Sequence, residues 1–287
     1  MDMPLESKAT ACIIGAGLQG CCIALALASK GLPSTILDAA PEAMSGASLI
    51  NEGKIHLGFV YALDTHGRTQ DLMLKGALHF APFLDRWCNQ MIPWRDICSD
   101  PFVYGVMPDS LLSPREIKSS YRQLDERLQQ LNLNQEHYLG HSLSRLWSAL
   151  EDKPAADSAI CFFQTAERSV DPRALAKIIR SAVSQSPMIQ FIPNTLVTAC
   201  EPGDRDVLLR IDQAAGKGQL RVKQAINCTW GDQERLDRMA GLPAQKLNYR
   251  VKHQILVKPH STGLRATTLV QGPYGDLVPW PDGTVYL

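Results

Sequence analysis

The stretch from Thr10 to Asp38 constrains the fold of this chain more than any other. Thr10 to Ile14 is a short apolar run and reads as a buried parallel strand. Gly15-Ala16-Gly17-Leu18-Gln19-Gly20 follows directly. Cys21 to Lys30 then has helical composition and ends at Gly31, a natural C-terminal stop. Pro33 breaks the chain, and Ser34 to Leu37 reads as a second strand that ends at Asp38. The segment is a βαβ unit closing on an acidic residue, which predicts an α/β fold with a Rossmann-like domain.

Each part of that unit has a physical task. Gly15 permits a tight turn, Gly17 lets backbone approach a pyrophosphate, and Gly20 allows close packing of helix on strand. The loop amides at Ala16, Leu18 and Gln19 lead into a helix N-terminus, whose free N–H groups and positive dipole end suit phosphate. Asp38 is placed to accept hydrogen bonds from an adenosine ribose. Ala39 and Ala40 follow it with no arginine to welcome a 2′-phosphate, which argues against NADP. The competing interpretation is a glycine-rich structural turn, and the motif alone does not separate FAD from NAD.

Composition narrows the partners. The chain has 287 residues, enough for one large domain or two smaller ones, with 45% hydrophobic and 20% charged residues. Its 29 basic and 29 acidic side chains leave no global basic field, which argues against nucleic acid and anionic membranes as partners. The eight cysteines are dispersed, with no CxxC and no Cys/His set at zinc spacing, so no metal site is expected. Reduced thiols and a cytoplasmic location follow from that pattern. The apolar segment Cys21 to Ala28 is too short to span a bilayer, and Asp2 and Glu6 offset Lys8 before it, so neither a transmembrane segment nor a secretory signal is expected.

Ser45 to Phe59 is rich in small and polar residues and reads as a loop running back toward the nucleotide. With Asn51-x-Gly53 inside it, the sequence resembles the D-amino-acid-oxidase-type superfamily of FAD-dependent oxidoreductases. Asn51-x-Gly53-x-Ile55-His56-x-Gly58 is further similar to a segment of L-2-hydroxyglutarate oxidases and dehydrogenases, and its Ile-His-x-Gly portion to FAD-linked glycerol-3-phosphate dehydrogenases. Both groups oxidise a carbon bearing a hydroxyl. The resemblance implies FAD as cofactor, with Ser48, Asn51, Gly53, Lys54 and Ile55 along it. Asn51 stands where some relatives carry a flavin-linking histidine, so the cofactor is expected to be noncovalent. Hydroxyl oxidation needs a base, and histidine titrates near neutrality, so His56 is the candidate catalytic residue. The bland alternative is a buried histidine bonded to backbone. Lys54 is either a positive charge beside the flavin or a solvated lysine.

Further along, Asp71 to Gln90 and Arg115 to Leu131 read as helices, the second with a solvated charged face. Asp171 and Pro172 open another helix as N-cap and first residue. Ile189 to Ile192 and Leu196 to Cys200 read as strands, and Val207 to Ile211 with Gln219 to Val222 as a small meander. The resemblance places Val197 at the adenine, and Asn227, Cys228 and Gly231 at the FAD phosphates. Trp230 displaces the family's glycine by one position. Arg250 to Gln254 resembles a strand entering the substrate domain, where Arg250, Lys252 and His253 read first as a solvated strand face and second as an attraction for an anionic substrate.

By analogy, 1–87 and 166–235 form a discontinuous FAD-binding domain, and 88–165 with 236–287 form a mixed α+β substrate domain. Superfamily members continue past the position of Leu287 with a glycine-rich loop at the isoalloxazine ring, so the chain is expected to cover only part of that fold. The function expected is hydride transfer from a small substrate, at a C–OH or C–N bond, to flavin N5, with the electron acceptor open. The alternatives are a truncated, non-catalytic dinucleotide-binding remnant and an NAD-dependent dehydrogenase. The Ser45 to Phe59 loop argues against the latter, where another βα unit would stand.

Overall fold

The computed structural model describes residues 11–131, 138–151, 159–243, 253–260, 263–272, 275–280 and 282–287. In chain order the elements are β1 (Ala11–Ile14), α1 (Leu18–Ala28), β2 (Ser34–Leu37), β3 (Lys54–Ile55), α2 (Arg68–Trp87), α3 (Trp94–Ile97), β4 (Val103–Val106), α4 (Pro114–Gln130), β5 (Trp147–Leu150), β6 (Cys161–Thr165), β7 (Arg168–Ser169), α5 (Pro172–Gln185), β8 (Ile189–Ile192), β9 (Leu196–Pro202), β10 (Val207–Gln213), β11 (Gly216–Val222), β12 (Ala225–Asn227), α6 (Gln233–Met239), β13 (Leu256–Val257), β14 (Thr267–Val270), β15 (Asp276–Pro279) and β16 (Val285–Tyr286). They fall into two compact units. The first comprises Met1–Asn51, Leu84–Met91 and Arg173–Lys252, and the second Glu52–Phe83, Ile92–Pro172 and His253–Leu287.

The first unit carries a parallel sheet of order β12-β1-β2-β8. Every residue of β1 and β2 is buried, as strands covered on both faces require. The crossover from β1 to β2 runs through α1, the connection that a parallel pair needs. An antiparallel meander, β9-β10-β11, packs on the sheet. Cys12, Ile14 and Leu37 meet Val197, Leu209, Ile211, Leu220 and Leu236 in one core. Each large aliphatic side chain buried there is worth about 1.5–3 kcal/mol relative to exposure.

The second unit carries a seven-stranded sheet of order β13-β16-β15-β14-β4-β6-β5, with β14 and β4 parallel and the other pairs antiparallel. Helix α4 starts at a capping box in which Ser113 and Glu116 satisfy each other's amides. Its buried face is Ile117, Tyr121 and Leu124, one turn apart, and the charged residues lie elsewhere on the helix. Tyr121 enters an aromatic cluster, edge-on to Phe59 at 4.7 Å and to Phe163 at 5.4 Å between ring centroids.

Most sequence expectations hold within two or three residues. The helix expected from Cys21 begins earlier, at Leu18, because the last three loop residues are already helical. The loop expected from Ser45 to Phe59 contains a short strand, β3, because Lys54 and Ile55 pair with Ser169 and Arg168. That pairing ties residues 54–55 into the second unit, so the compact units change over at 51/52 and 172/173. The segments 1–87, 88–165, 166–235 and 236–287 are cut at other places. Thr10, Arg250, Val251 and Lys252 lie outside the described residues, while His253 and Gln254 are not in a strand, which begins only at Leu256. Among the described residues no helix is long and apolar enough to cross a membrane.

Candidate functional site

The glycine loop of the first unit is a cradle made of backbone. Gly15 has a left-handed φ of +103°, and a Cβ there would lie 2.5 Å from the Cys228 carbonyl oxygen. A Cβ at Gly20 would lie 1.9 Å from the Gly15 carbonyl oxygen and 3.2 Å from Ile13. Only glycine fits at either position. At Gly17 the situation is reversed: a Cβ would meet just the Ser48 hydroxyl, at 3.0 Å. The face that the sequence assigns to a pyrophosphate is thus clear of other protein atoms. No acidic residue stands in the first turn of α1, so the positive end of its dipole has no local carboxylate. This arrangement fits the phosphates of a dinucleotide.

Side chains brace the cradle. Asp38 accepts from the Ala16 amide at 2.5 Å and the Ala40 amide at 2.8 Å. It therefore ties the glycine loop to the end of β2, a task the sequence does not announce, and keeps lone pairs for a ribose. Ala39 beside it is exposed, as is Gln19 in the first turn of α1. Ser48 accepts from the Leu18 amide at 2.8 Å and takes one of the donors that α1 cannot satisfy internally. Asn51 closes its own turn onto the Ala47 and Ser48 carbonyls.

The end of β12 completes the cradle. The Cys228 amide donates to the Ile14 carbonyl, which brings Cys228 beside Gly15. The Asn227 amide group donates to Asp237 and the Gln233 carbonyl, and its oxygen accepts from Thr229. Its side chain thus shapes the turn. The left-handed residue of that turn is Trp230, φ +56°, whereas Gly231 has no positive φ. Val197, in β9, is buried, and its carbonyl accepts from Arg235.

In the second unit, side chains build the candidate chemistry. His56 is neither deeply buried nor bonded to backbone through its ring. Its Nδ1 lies 3.3 Å from Oε1 of Glu167, and its side chain keeps 25% exposure. Glu167 is fully buried and also accepts from the Leu57 amide at 2.6 Å and the Tyr104 hydroxyl at 2.5 Å. Burial alone would raise the Glu167 carboxyl. The His56 charge and hydrogen bond, the Lys54 charge and the Tyr104 hydroxyl outweigh that and hold it below the usual range. Tyr104 is pushed well above its ordinary value, first by burial and then by the Glu167 charge, so it stays a donor. An ionised Glu167 can only accept, so His56 Nδ1 carries a proton toward it and Nε2 is the ring nitrogen left for a substrate. Tyr61 meets the imidazole edge-on at 5.9 Å.

Lys54 is not solvated. Its side chain is fully buried, paired with Asp276, bonded to Thr268 Oγ1 at 2.5 Å and seated 4.1 Å from the centroid of the Phe102 ring. Ile55 serves through its carbonyl, which accepts from Tyr138 at 2.7 Å, and the Gly53 carbonyl accepts from the Val170 amide. Sequence reasoning missed Glu167, Tyr104, Thr268 and Asp276. One signal was present: a tyrosine inside the apolar run Phe102 to Val106 must bond its hydroxyl to something buried.

Known proteins share this architecture. The L-amino acid deaminase from Proteus vulgaris superposes with a TM-score of 0.65 at 15% identity, covering 100% of this chain and 62% of its own. The glycine oxidase from Geobacillus kaustophilus gives 0.65 at 15%, covering 96% and 70%. The L-alpha-glycerophosphate oxidase from Mycoplasma pneumoniae, with FAD bound, gives 0.64 at 15%, covering 96% and 70%. This chain thus spans about two thirds of the length of these proteins. No curated protein matches the sequence. The family described as DAO, FAD dependent oxidoreductase, matches residues 10–287, nearly the whole chain, and the chain belongs to that family.

Proposed function

We propose that this chain holds FAD without a covalent link and oxidises a small substrate at a carbon bearing a hydroxyl, with His56 as the base. Gly15 to Gly20, Asp38, Ala39, Ser48 and Asn51 would hold the ADP half, together with Asn227, Cys228, Gly231 and Val197. Gly53, Lys54 and Ile55 would continue along the cofactor. The observation that carries the hydroxyl reading is the pairing of His56 with the buried Glu167.

Oxidising a C–OH removes a hydride from carbon and a proton from oxygen. Bound FAD supplies the hydride acceptor, at flavin N5. The chain must supply the proton acceptor. Glu167 takes the Nδ1 proton of His56 into a hydrogen bond and fixes the ring, so Nε2 is the atom that receives the hydroxyl proton. The charge that develops on the imidazole then faces a carboxylate already held in its ionised form. An amine substrate brings its own lone pair and needs such a base less.

Anaerobic reduction followed by flavin absorbance tests this. Hydroxy acids, glycerol phosphate and amino acids are screened first, and reoxidation by oxygen or a quinone identifies the acceptor. With a hydroxylic substrate, His56→Ala should slow flavin reduction by about 10²–10⁴-fold while FAD stays bound. An unchanged rate removes His56 from the chemistry, and reduction by amino acids alone removes the hydroxyl reading.

A further inference from the structure

Trp230 combines two features that usually exclude each other. Its backbone is left-handed, φ +56°, a conformation that is a true outlier for a bulky side chain. Trp230 is 80% exposed, so side-chain packing does not offset that backbone. Met44 and Leu139 share the conformation, at φ 55° and 53°, but both are buried, at 1% and 0%, where packing offsets the strain. Strain that side-chain packing does not offset clusters at ligand-holding positions.

Its place in the fold says which ligand. Trp230 follows β12, at the carboxyl end of the parallel sheet, where open α/β sheets bind nucleotides. The two residues before it lie on the cradle: a Cβ at Gly15 would touch the Cys228 oxygen at 2.5 Å and the Thr229 nitrogen at 3.2 Å. The turn is fixed on both sides. Asn227 bonds Thr229, Gln233 and Asp237. Arg235 ties Asp232 to the Val197 and Thr198 carbonyls of β9.

We propose that the Trp230 indole is a stacking platform for the ADP half of the cofactor. This rests on the FAD reading above. A flat indole carried on a braced turn beside a phosphate cradle is suited to a purine face, and stacking of that kind tolerates a solvent-facing ring.

The test uses the full chain freed of cofactor and titrated with FAD and with ADP, following tryptophan fluorescence and flavin absorbance. Wild type, Trp230→Phe and Trp230→Gly are compared, with apoprotein melting as the control. Trp230→Gly should raise the Kd of both ligands by roughly 5- to 100-fold, because stacking on an aromatic ring is worth that much per base. Trp230→Phe keeps a ring and should stay within about threefold of wild type. The melting temperature of Trp230→Gly should not fall, since glycine accepts this φ without strain.

A Kd for Trp230→Gly within twofold of wild type overturns the platform. So does weaker FAD binding with ADP unchanged, equal losses in the Phe and Gly variants, or a melting temperature lowered by more than about 5 °C, which would make the indole a packing residue. A wild-type chain that takes up neither ligand overturns the FAD reading itself, and the platform with it.

Discussion

In the first unit the candidate nucleotide site is built from backbone. Its amides, its carbonyls and the absence of side chains at Gly15, Gly17 and Gly20 do the shaping, and its parts come largely from one βαβ segment. In the second unit the candidate proton site is built from side chains. Lys54, His56, Tyr104, Glu167, Thr268 and Asp276 come from β3, the turn after it, β4, the link between β6 and β7, β14 and β15. The first region draws on local backbone geometry. The second concentrates charge in a buried place. The two should therefore break differently, with charge deletions costing more than losses of fit.

Lys54→Met should show the largest effect. It removes the cation that Asp276 faces and leaves a carboxylate only 18% exposed without it. Breaking one side of a buried pair costs about 3–5 kcal/mol, whereas replacing both partners by apolar groups is often neutral. Urea denaturation of Lys54→Met, Asp276→Leu and the double variant should thus give two destabilised single variants and a double variant nearer wild type. Additive losses would show that the pair is not a unit.

Gly20→Ala tests the side built from backbone. A Cβ 1.9 Å from the Gly15 carbonyl forces α1 away from β1, and overpacking of that kind costs about 1–3 kcal/mol. FAD retention should fall along with stability, because the atom displaced belongs to the cradle. A variant that melts and binds as wild type does would mean that the helix does not sit this close to the strand.

These two tests also mark what could be read in the sequence. The cradle was legible because its parts are close together along the chain and because glycine spacing has few other physical uses. Strand, loop, helix and Asp38 follow one another within thirty residues. Even there, Asp38 was read as a ribose ligand and not as the brace on Ala16, because a side chain's second bond leaves no periodic trace. The network in the second unit was mostly illegible. His56 stood out by its motif, but Glu167 lies 111 positions away and Asp276 lies 222 from Lys54. Such pairings are set by the order of strands in a sheet, which residue patterns do not encode. Trp230 is the intermediate case. Its offset from the family glycine is visible in the sequence, but its left-handed backbone is not, because tryptophan is not a residue that favours φ above zero.

Ser48→Ala should produce a smaller loss. It leaves the Leu18 amide without its hydroxyl acceptor at the head of α1 and should cost about 0.5–2 kcal/mol, the range for helix N-terminal caps. Equilibrium unfolding gives that number, and titration with ADP shows whether the phosphate end loosens with it. No change in either would mean that water replaces the hydroxyl at no cost, and that the loop from Gly46 to Asn51 is not a brace.

The smallest effect is a dependence on pH, and it distinguishes the two regions most directly. Glu167 has its carboxyl below the ordinary value of 4.5 in the folded chain, with burial opposed by His56, Lys54 and Tyr104. In the window below that ordinary value the unfolded chain binds more protons than the folded one, so stability falls as pH falls. The contribution is complete above the ordinary value and is lost as pH drops through the folded one. Glu167→Gln removes the titrating group, so its stability curve should lose this part of the acid slope. The gap between wild type and variant should narrow as the solution is acidified. Gly20→Ala removes no charge, and its curve should run parallel to wild type through the same window. Denaturant midpoints between about pH 5.5 and 3.5 compare all three proteins. A gap between wild type and Glu167→Gln that instead widens as the solution is acidified would mean that Glu167 is already protonated in the fold. It could then donate to His56, Nδ1 would no longer be the fixed donor, and the assignment of Nε2 as the proton acceptor would fail with it.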